Sequence, residues 1–308
     1  MVLIGWNQVN AGSCYLSRRS VLMNDPVNKI ILSDDEIKQY REGGVLKIKN
    51  LFPPESVERF RNIIEEEYDE NQPLMGDCFS RLNYDIGNEG SHTKNVCRSK
   101  ELKRIINSLI DERILFTQGI YFELEQSKST GFIWHFGMQS FNYIMPTDLS
   151  YSIWIPLDEI DAKGQSGGMA YIPESDFSAK EDVKKTVDLY KHVSVGEIDG
   201  DPYGGGTMLG ANDDLYDTIA REESFNLGDA LIFNRFVWHK SVMLKPGPLK
   251  KRRAYVMRFI SGTASYNTHL LEVCRERGHD VYSKYGDSFK DLGHGDMISS
   301  SEYANELI

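Results

Sequence analysis

Two histidines in this chain each follow a tryptophan: Trp134-His135, within Gly131-Phe132-Ile133-Trp134-His135-Phe136-Gly137, and Trp238-His239, within Phe233-Asn234-Arg235-Phe236-Val237-Trp238-His239. They lie 104 positions apart (239 − 135). Thirteen positions after the second (252 − 239), Arg252 and Arg253 open the apolar run Ala254-Tyr255-Val256-Met257. Imidazole is the commonest protein metal ligand, and a guanidinium offers a permanently charged fork that matches a carboxylate. Two imidazoles with one carboxylate describe an iron(II) centre that keeps coordination positions open. The carboxylate is missing where it would be nearest, because two residues after His135 stands Gly137. Asp148 and Asp158 are later donors, but both fall where a turn or the next strand is expected.

The elements that must position these residues are mostly strands. Ser33-Asp34-Asp35-Glu36 is a capping box that starts a short helix through Tyr40. Val45-Leu46-Lys47-Ile48-Lys49 alternates as a strand does. Pro53-Pro54-Glu55 opens an amphipathic helix with Val57, Phe60, Ile63, Ile64 and Tyr68 on one face. Residues 71–98 are polar and aperiodic and read as a long loop of the kind that forms lids or binding loops. A helix is expected over about 100–110. Strands follow at 114–118, 120–125, 152–157, 169–172, 230–233 and 254–260. A polar insertion, 178–223, contains Gly204-Gly205-Gly206 and reads as loop with some helix, serving as a lid. It is not a phosphate loop, for no Lys-Ser/Thr follows it. Residues 1–30 read as an arm or edge strand, and 263–308 as a polar helix and tail. Helices first and then many short strands predict a mainly β fold with flanking helices, an antiparallel double-stranded barrel within one domain spanning 1–308.

Composition narrows the partners. The formal charge of −11 over 308 residues disfavours nucleic acid, which requires clustered Lys and Arg. A local basic pocket can still hold a small anion. The four cysteines (Cys14, Cys78, Cys97, Cys274) form no CxxC pair, so no zinc knot or redox dithiol is indicated. The first residues are too briefly apolar for a signal peptide and no apolar run is long enough to span a bilayer, so the expectation is a cytoplasmic protein without membrane partners.

Several fragments, in order, resemble the phytanoyl-CoA dioxygenase branch of Fe(II)/2-oxoglutarate oxygenases. They are Tyr40-Arg41-Glu42-Gly43-Gly44-Val45-Leu46-Lys47-Ile48-Lys49-Asn50-Leu51-Phe52-Pro53-Pro54-Glu55; Tyr151-Ser152-Ile153-Trp154-Ile155-Pro156-Leu157-Asp158; Ser166-Gly167-Gly168-Met169-Ala170-Tyr171-Ile172-Pro173-Glu174-Ser175; and Asn226-Leu227-Gly228-Asp229-Ala230-Leu231-Ile232-Phe233. The likeness covers roughly 33–262. It implies a double-stranded β-helix (a cupin-like jelly roll), with His135 and His239 on Fe(II) and Arg252 on the distal carboxylate of 2-oxoglutarate beside Trp154. O2 is the co-oxidant. Where the family carries an aspartate this chain has Gly137, and that variant is similar to the 2-oxoglutarate-dependent halogenases, in which chloride (or bromide) takes the vacated position. By the same resemblance Arg258, with Glu123 or else Glu125, helps hold the halide.

Each assignment has a plainer alternative. Gly137 is otherwise a turn glycine, with water or another acid as third ligand. Arg258 and Glu123 are otherwise a structural ion pair, and Phe136, Phe141 and Trp154 otherwise core. Only one of Arg252 and Arg253 can face a site, since neighbours on a strand point to opposite sides. Arg81, Tyr84, Phe136 and Phe141, with Cys97 and Arg98, are candidate substrate contacts. The expected activity is chlorination of an unactivated sp3 carbon of a small molecule in natural-product biosynthesis, with a carrier-tethered substrate less favoured. Alternatives are a hydroxylase or desaturase of the same class, a non-catalytic binding protein on the same scaffold, or a cupin-like isomerase.

Overall fold

Ser33 caps the first helix as its capping box requires. Its hydroxyl accepts from the Glu36 backbone N–H, while the Glu36 carboxylate accepts from the Ser33 N–H. A computed structural model describes residues 25–72, 76–137, 140–180, 213–269 and 289–305, together with 272, 276 and 308. The first helix, α1, spans Asp34–Gly43 and closes on Gly44 in the left-handed conformation (φ 68°). A side chain there would strike Glu174 and Asn234, so the turn into β1 (Val45–Ile48) requires glycine. The next helices are α2 (Pro54–Glu67), α3 (Ser91–Cys97) and α4 (Lys100–Leu109), with β2 (Arg81–Tyr84) before α3. Then come β3 (Ile114–Glu125), β4 (Ser150–Pro156), β5 (Met169–Ile172), α5 (Asp213–Ile219), β6 (Arg221–Glu222), β7 (Ala230–Asn234), β8 (Trp238–Ser241) and β9 (Lys251–Ser261).

Among the described residues the strands form two antiparallel sheets. The larger runs β1-β7-β4-β9-β3-β2 and the smaller β6-β5-β8. The period of two sorts the larger sheet into faces. Tyr121, Ile153, Tyr255, Met257 and Phe259 pack outward under α2, α3 and α4, through Val57, Phe60, Ile64, Ile105 and Ile106. Ile120, Phe122, Trp154, Leu231, Phe233, Ala254 and Val256 face inward and meet Met169 and Tyr171 of the smaller sheet. The order is thus a helical layer, a six-stranded sheet and a three-stranded sheet, with the candidate site between the sheets. No described helix is long and apolar enough to cross a membrane.

Several expectations change. Residues 71–98 are not a continuous loop: β2 pairs with β3 over Arg81↔Glu123 to Tyr84↔Ile120, and α3 follows. Four residues holding Arg and Asn carry too little periodicity to read as a strand; pairing with a long neighbour makes them one. The two strands expected at 114–118 and 120–125 are one, β3, with a register shift between Phe116 and Gln118. The strand β8, which carries His239, was not anticipated. Residues 181–212, with Gly204-Gly205-Gly206, lie outside the described residues, as do 1–24 and most of 270–288. The described end of the insertion is the helix α5 and the short strand β6. Beyond Thr263, Tyr266, Phe289 and Ile298 are buried against Leu115, Tyr143 and Ile260, so this tail closes one end of the sheet.

Candidate metal and cosubstrate site

The two histidines arrive on neighbouring segments joined by an isolated antiparallel bridge. The His135 N–H donates to the His239 carbonyl at 3.0 Å, and the His239 N–H to the His135 carbonyl at 2.9 Å. Further bonds, Gly137 N–H to the Arg235 carbonyl (2.7 Å) and Ser241 N–H to the Phe132 carbonyl (2.9 Å), extend the pairing to both sides. The ring centroids are 4.2 Å apart. Each Nδ1 lies against the carbonyl two residues back, Ile133 at 2.7 Å and Val237 at 2.9 Å. A carbonyl only accepts, so each Nδ1 must carry the hydrogen and each Nε2 keeps its lone pair. That is the acceptor arrangement a metal-bound imidazole uses to fix its tautomer. Burial lowers the basicity of both rings. His135 falls to about 4, with the nearby Arg258 charge also lowering it, and His239 falls well below its ordinary value, with His135 as the next cause. Both rings are therefore neutral at physiological pH, as ligation requires.

The cavity around them is lined by Phe122, Phe132, Phe141, Trp154, Phe233 and Val256, with Met169, Ser140, Ser152 and Ser241. The charged residues that border it are Arg235, Lys240, Arg252 and Arg258, with no carboxylate among the described residues, although the Lys240 ammonium itself turns away to Asp217. In a chain of net charge −11, that sign reversal marks an anion site.

Alternation along β9 puts Arg252 in this wall and Arg253 on the opposite face, where Arg253 is held by Asp158 at 2.6 and 3.1 Å. The Arg252 Nε donates to the Gly167 carbonyl at 2.6 Å, while its Nη1 is buried and has no partner. Burial drags this guanidinium down to about 10, opposed by Asp158. Trp154 lies beside it, its ring centroid 5.6 Å from the guanidinium carbon. An orphaned, buried, cationic donor costs stability unless a ligand satisfies it, so the wall fits a carboxylate.

Gly137 also lines the cavity. A Cβ built on it would lie 2.7 Å from the Arg235 Cβ and 3.0 Å from its Cα, so the backbones pass too closely for any side chain. No group of three or more His, Cys, Asp or Glu that could hold a metal occurs among the described residues. Neither acid proposed as a distant donor lines the cavity: Asp148 accepts from the Ser265 N–H and Asp158 is bound to Arg253.

Other expected residues go elsewhere. Glu123 faces the helical side, accepting from Ser80, Tyr121 and Lys251 at 2.9, 3.0 and 2.8 Å. Its neighbour Phe122 lines the cavity, so the alternation of β3 excludes Glu123, and Glu125 with it. Arg258 instead sits opposite Gln118, donating to that amide at 3.1 Å and to Ser140 at 2.9 Å. Gln118 passes the contact to Asp85 at 2.8 Å. Arg81 is also on the helical side, 3.7 Å above the Tyr68 ring and paired with Glu65. Tyr84 packs against the inner apolar cluster without lining the cavity, and Phe136 packs on Trp238 at 4.7 Å. Phe141 does line the cavity. Cys97 and Arg98 border a separate cleft with Lys94, Lys103 and Phe116.

Sequence reasoning missed Arg235 and Lys240, which flank His239 in the same motif. Their positions four before and one after the histidine were visible, but not the direction of their side chains.

The sequence profile of the phytanoyl-CoA dioxygenase family matches residues 40–243. No curated protein matches the chain. Solved structures similar in fold include the non-heme alpha ketoglutarate dependent carbocyclase SnoK from nogalamycin biosynthesis: 16% identity, 90% of this chain and 96% of that one, TM-score 0.61. The epimerase SnoN in complex with Fe3+, alpha ketoglutarate and nogalamycin RO is 11% identical over 75% of this chain and 84% of that one, TM-score 0.54. EctD from S. alaskensis with bound Fe is 14% identical over 80% and 84%, TM-score 0.53.

Proposed function

This chain belongs to the phytanoyl-CoA dioxygenase family, and on that premise we propose that it is an iron(II)/2-oxoglutarate-dependent oxidoreductase with His135 and His239 as metal ligands and Arg252 as the cosubstrate anchor. The two facing sheets are read as the halves of a double-stranded β-helix. The observation that carries the assignment is the Arg252 Nη1: a buried cationic donor without a partner, in the wall of the same cavity as two neutral imidazoles with free Nε2 atoms. When bound, iron and 2-oxoglutarate with O2 supply an oxidant able to take hydrogen from an unactivated carbon, 2-oxoglutarate leaving as succinate and CO2.

The residues then divide the work. Arg252 and Trp154 orient the cosubstrate. The Ile133 and Val237 carbonyls hold the imidazoles in the ligating tautomer. Phe132, Phe141 and Phe233 exclude water and offer an apolar wall to the substrate.

The finer reading is a halogenase. In that reading chloride or bromide would stand in for the carboxylate missing at Gly137, and the product would be a small molecule chlorinated at an sp3 carbon, in natural-product biosynthesis. The all-cationic charged lining supports it, since a halide keeps the negative charge that an aspartate would have supplied. One observation favours a hydroxylase or desaturase instead: the close approach of the Arg235 backbone demands glycine at 137 whether or not a halide binds. For the same reason Gly137→Asp does not separate the readings, because its Cβ alone collides.

The deciding experiment is a chloride titration of the anaerobic protein with Fe(II) and 2-oxoglutarate, following the visible charge-transfer band. A saturable shift is expected. A band indifferent to chloride removes the halogenase reading, and no band at all removes the iron and 2-oxoglutarate reading with it.

A further inference from the structure

We infer that Asp217, on α5, is a positioning residue for the histidine pair, acting from behind through the residue next to each ligand. Because His135 and His239 pair across an antiparallel bridge, Trp134 (one before His135) and Lys240 (one after His239) are also cross-strand neighbours. The Lys240 ammonium lies 5.1 Å from the Trp134 ring centroid. One oxygen of Asp217 closes this pair. Its Oδ1 accepts from the Trp134 Nε1–H at 2.8 Å and from the Lys240 ammonium. The neighbouring Tyr216 is buried, with Trp134 at 5.6 Å, Trp238 at 5.1 Å and Phe177 at 5.6 Å, so α5 is seated on both ligand-bearing segments at once.

The bridge needs such a brace. His239 sits in β8, which β5 pairs regularly, but His135 joins it only through an isolated bridge outside any strand, and a backbone hydrogen bond contributes only about 1 kcal/mol net. The Lys240 ammonium, one residue after His239 on β8, turns to the face away from the imidazoles, where Trp134 and Asp217 meet it. The segment that closes the 178–223 insertion is therefore part of the metal site's support, although it contributes no ligand.

This rests on the metal-site reading, and the test separates the two. The full chain is titrated with Co(II), a spectroscopic stand-in for iron(II), in the presence of 2-oxoglutarate. Affinity and the d–d band are recorded alongside the thermal midpoint of the metal-free protein. Removing a group bonded directly to a ligand typically weakens metal binding by about tenfold or more, and Asp217, one residue further out, is expected to cost several-fold. Asp217→Ala is expected to show that loss with an altered band. Asp217→Asn keeps an oxygen for Trp134 but no charge for Lys240, and falls between. Asp176→Ala is the control, for it breaks another ion pair in this region, Arg221–Asp176 at 2.7 Å, without touching either histidine segment. It should leave affinity and band unchanged. If Asp217→Ala fails to fold, Asp217→Asn alone decides. Wild-type affinity and band in the Asp217 variants, or an equal loss in Asp176→Ala, overturn the positioning role while leaving the metal site standing. Failure of the wild type to bind Co(II) overturns both.

Discussion

Arg252 and Arg253 are adjacent and chemically identical, yet they have different fates because a strand turns successive side chains to opposite faces. Arg253 is held by Asp158 under the helical layer, while Arg252, in the cavity wall, has a buried Nη1 without a partner. Replacing Arg252 by Met should therefore raise the dissociation constant for 2-oxoglutarate by about 30-fold or more, equivalent to about 2 kcal/mol from a lost buried charge contact. Arg253→Met should leave that constant near wild type and lower the thermal midpoint instead. Both are read from the charge-transfer band and a melting curve. At Gly137 the outcome is steric. Ala there presses its methyl into the Arg235 backbone and should cost about 1–3 kcal/mol in a denaturant melt.

At the scale of elements, the sheet keeps stability and site apart on its two faces. On α4, Leu102, Ile105, Ile106 and Leu109 are buried, and Ile105 and Ile106 join the cluster with Tyr255 and Met257 on the outward side of β9. The same strand presents Arg252, Val256 and Arg258 to the cavity. Ile105→Ala leaves a void in that outer cluster and should destabilise by about 2–4 kcal/mol. The Fe(II) and 2-oxoglutarate affinities of the folded fraction should not move. A parallel loss of affinity would mean that the helical layer reaches the site after all. Element boundaries were legible where periodicity was long, as in α2 and α4, whereas β9 starts three residues before the expected 254 because β3 pairs with it from Lys251. They were not where pairing alone creates the strand: β2 exists because β3 offers it an edge.

At the scale of the molecule, an acidic surface encloses a cationic cavity, and its buried imidazoles are held neutral. His135 and His239 are joined by His92, buried in the helical layer 4.7 Å from the Phe60 ring, where burial first and the Arg59 charge second lower it to about 4. A folded-state value below the unfolded one, ordinarily about 6.5, means that between those limits the unfolded chain binds more protons. Stability must then fall as pH drops from about 6.5 toward 4. The metal-free protein should lose thermal stability across that window, and His92→Phe should remove part of the slope. An unchanged slope would place the acid sensitivity elsewhere.

What the amino-acid order determined by itself is what depends on local chemistry and repeat: the helices with their capping box and apolar faces, the longer strands, and the spacing of the two histidines and the arginine on which the proposed site is built. Family likeness followed from those fragments in their order, and the family profile agrees. What only the tertiary structure decided is direction and neighbourhood. Which arginine faces inward, why Glu123 serves Lys251 rather than Arg258, and why position 137 admits no side chain all depend on strands distant in sequence. The physical reason is that a side chain's facing is set by the register of its strand against its partners, and register is a contact between residues a hundred positions apart.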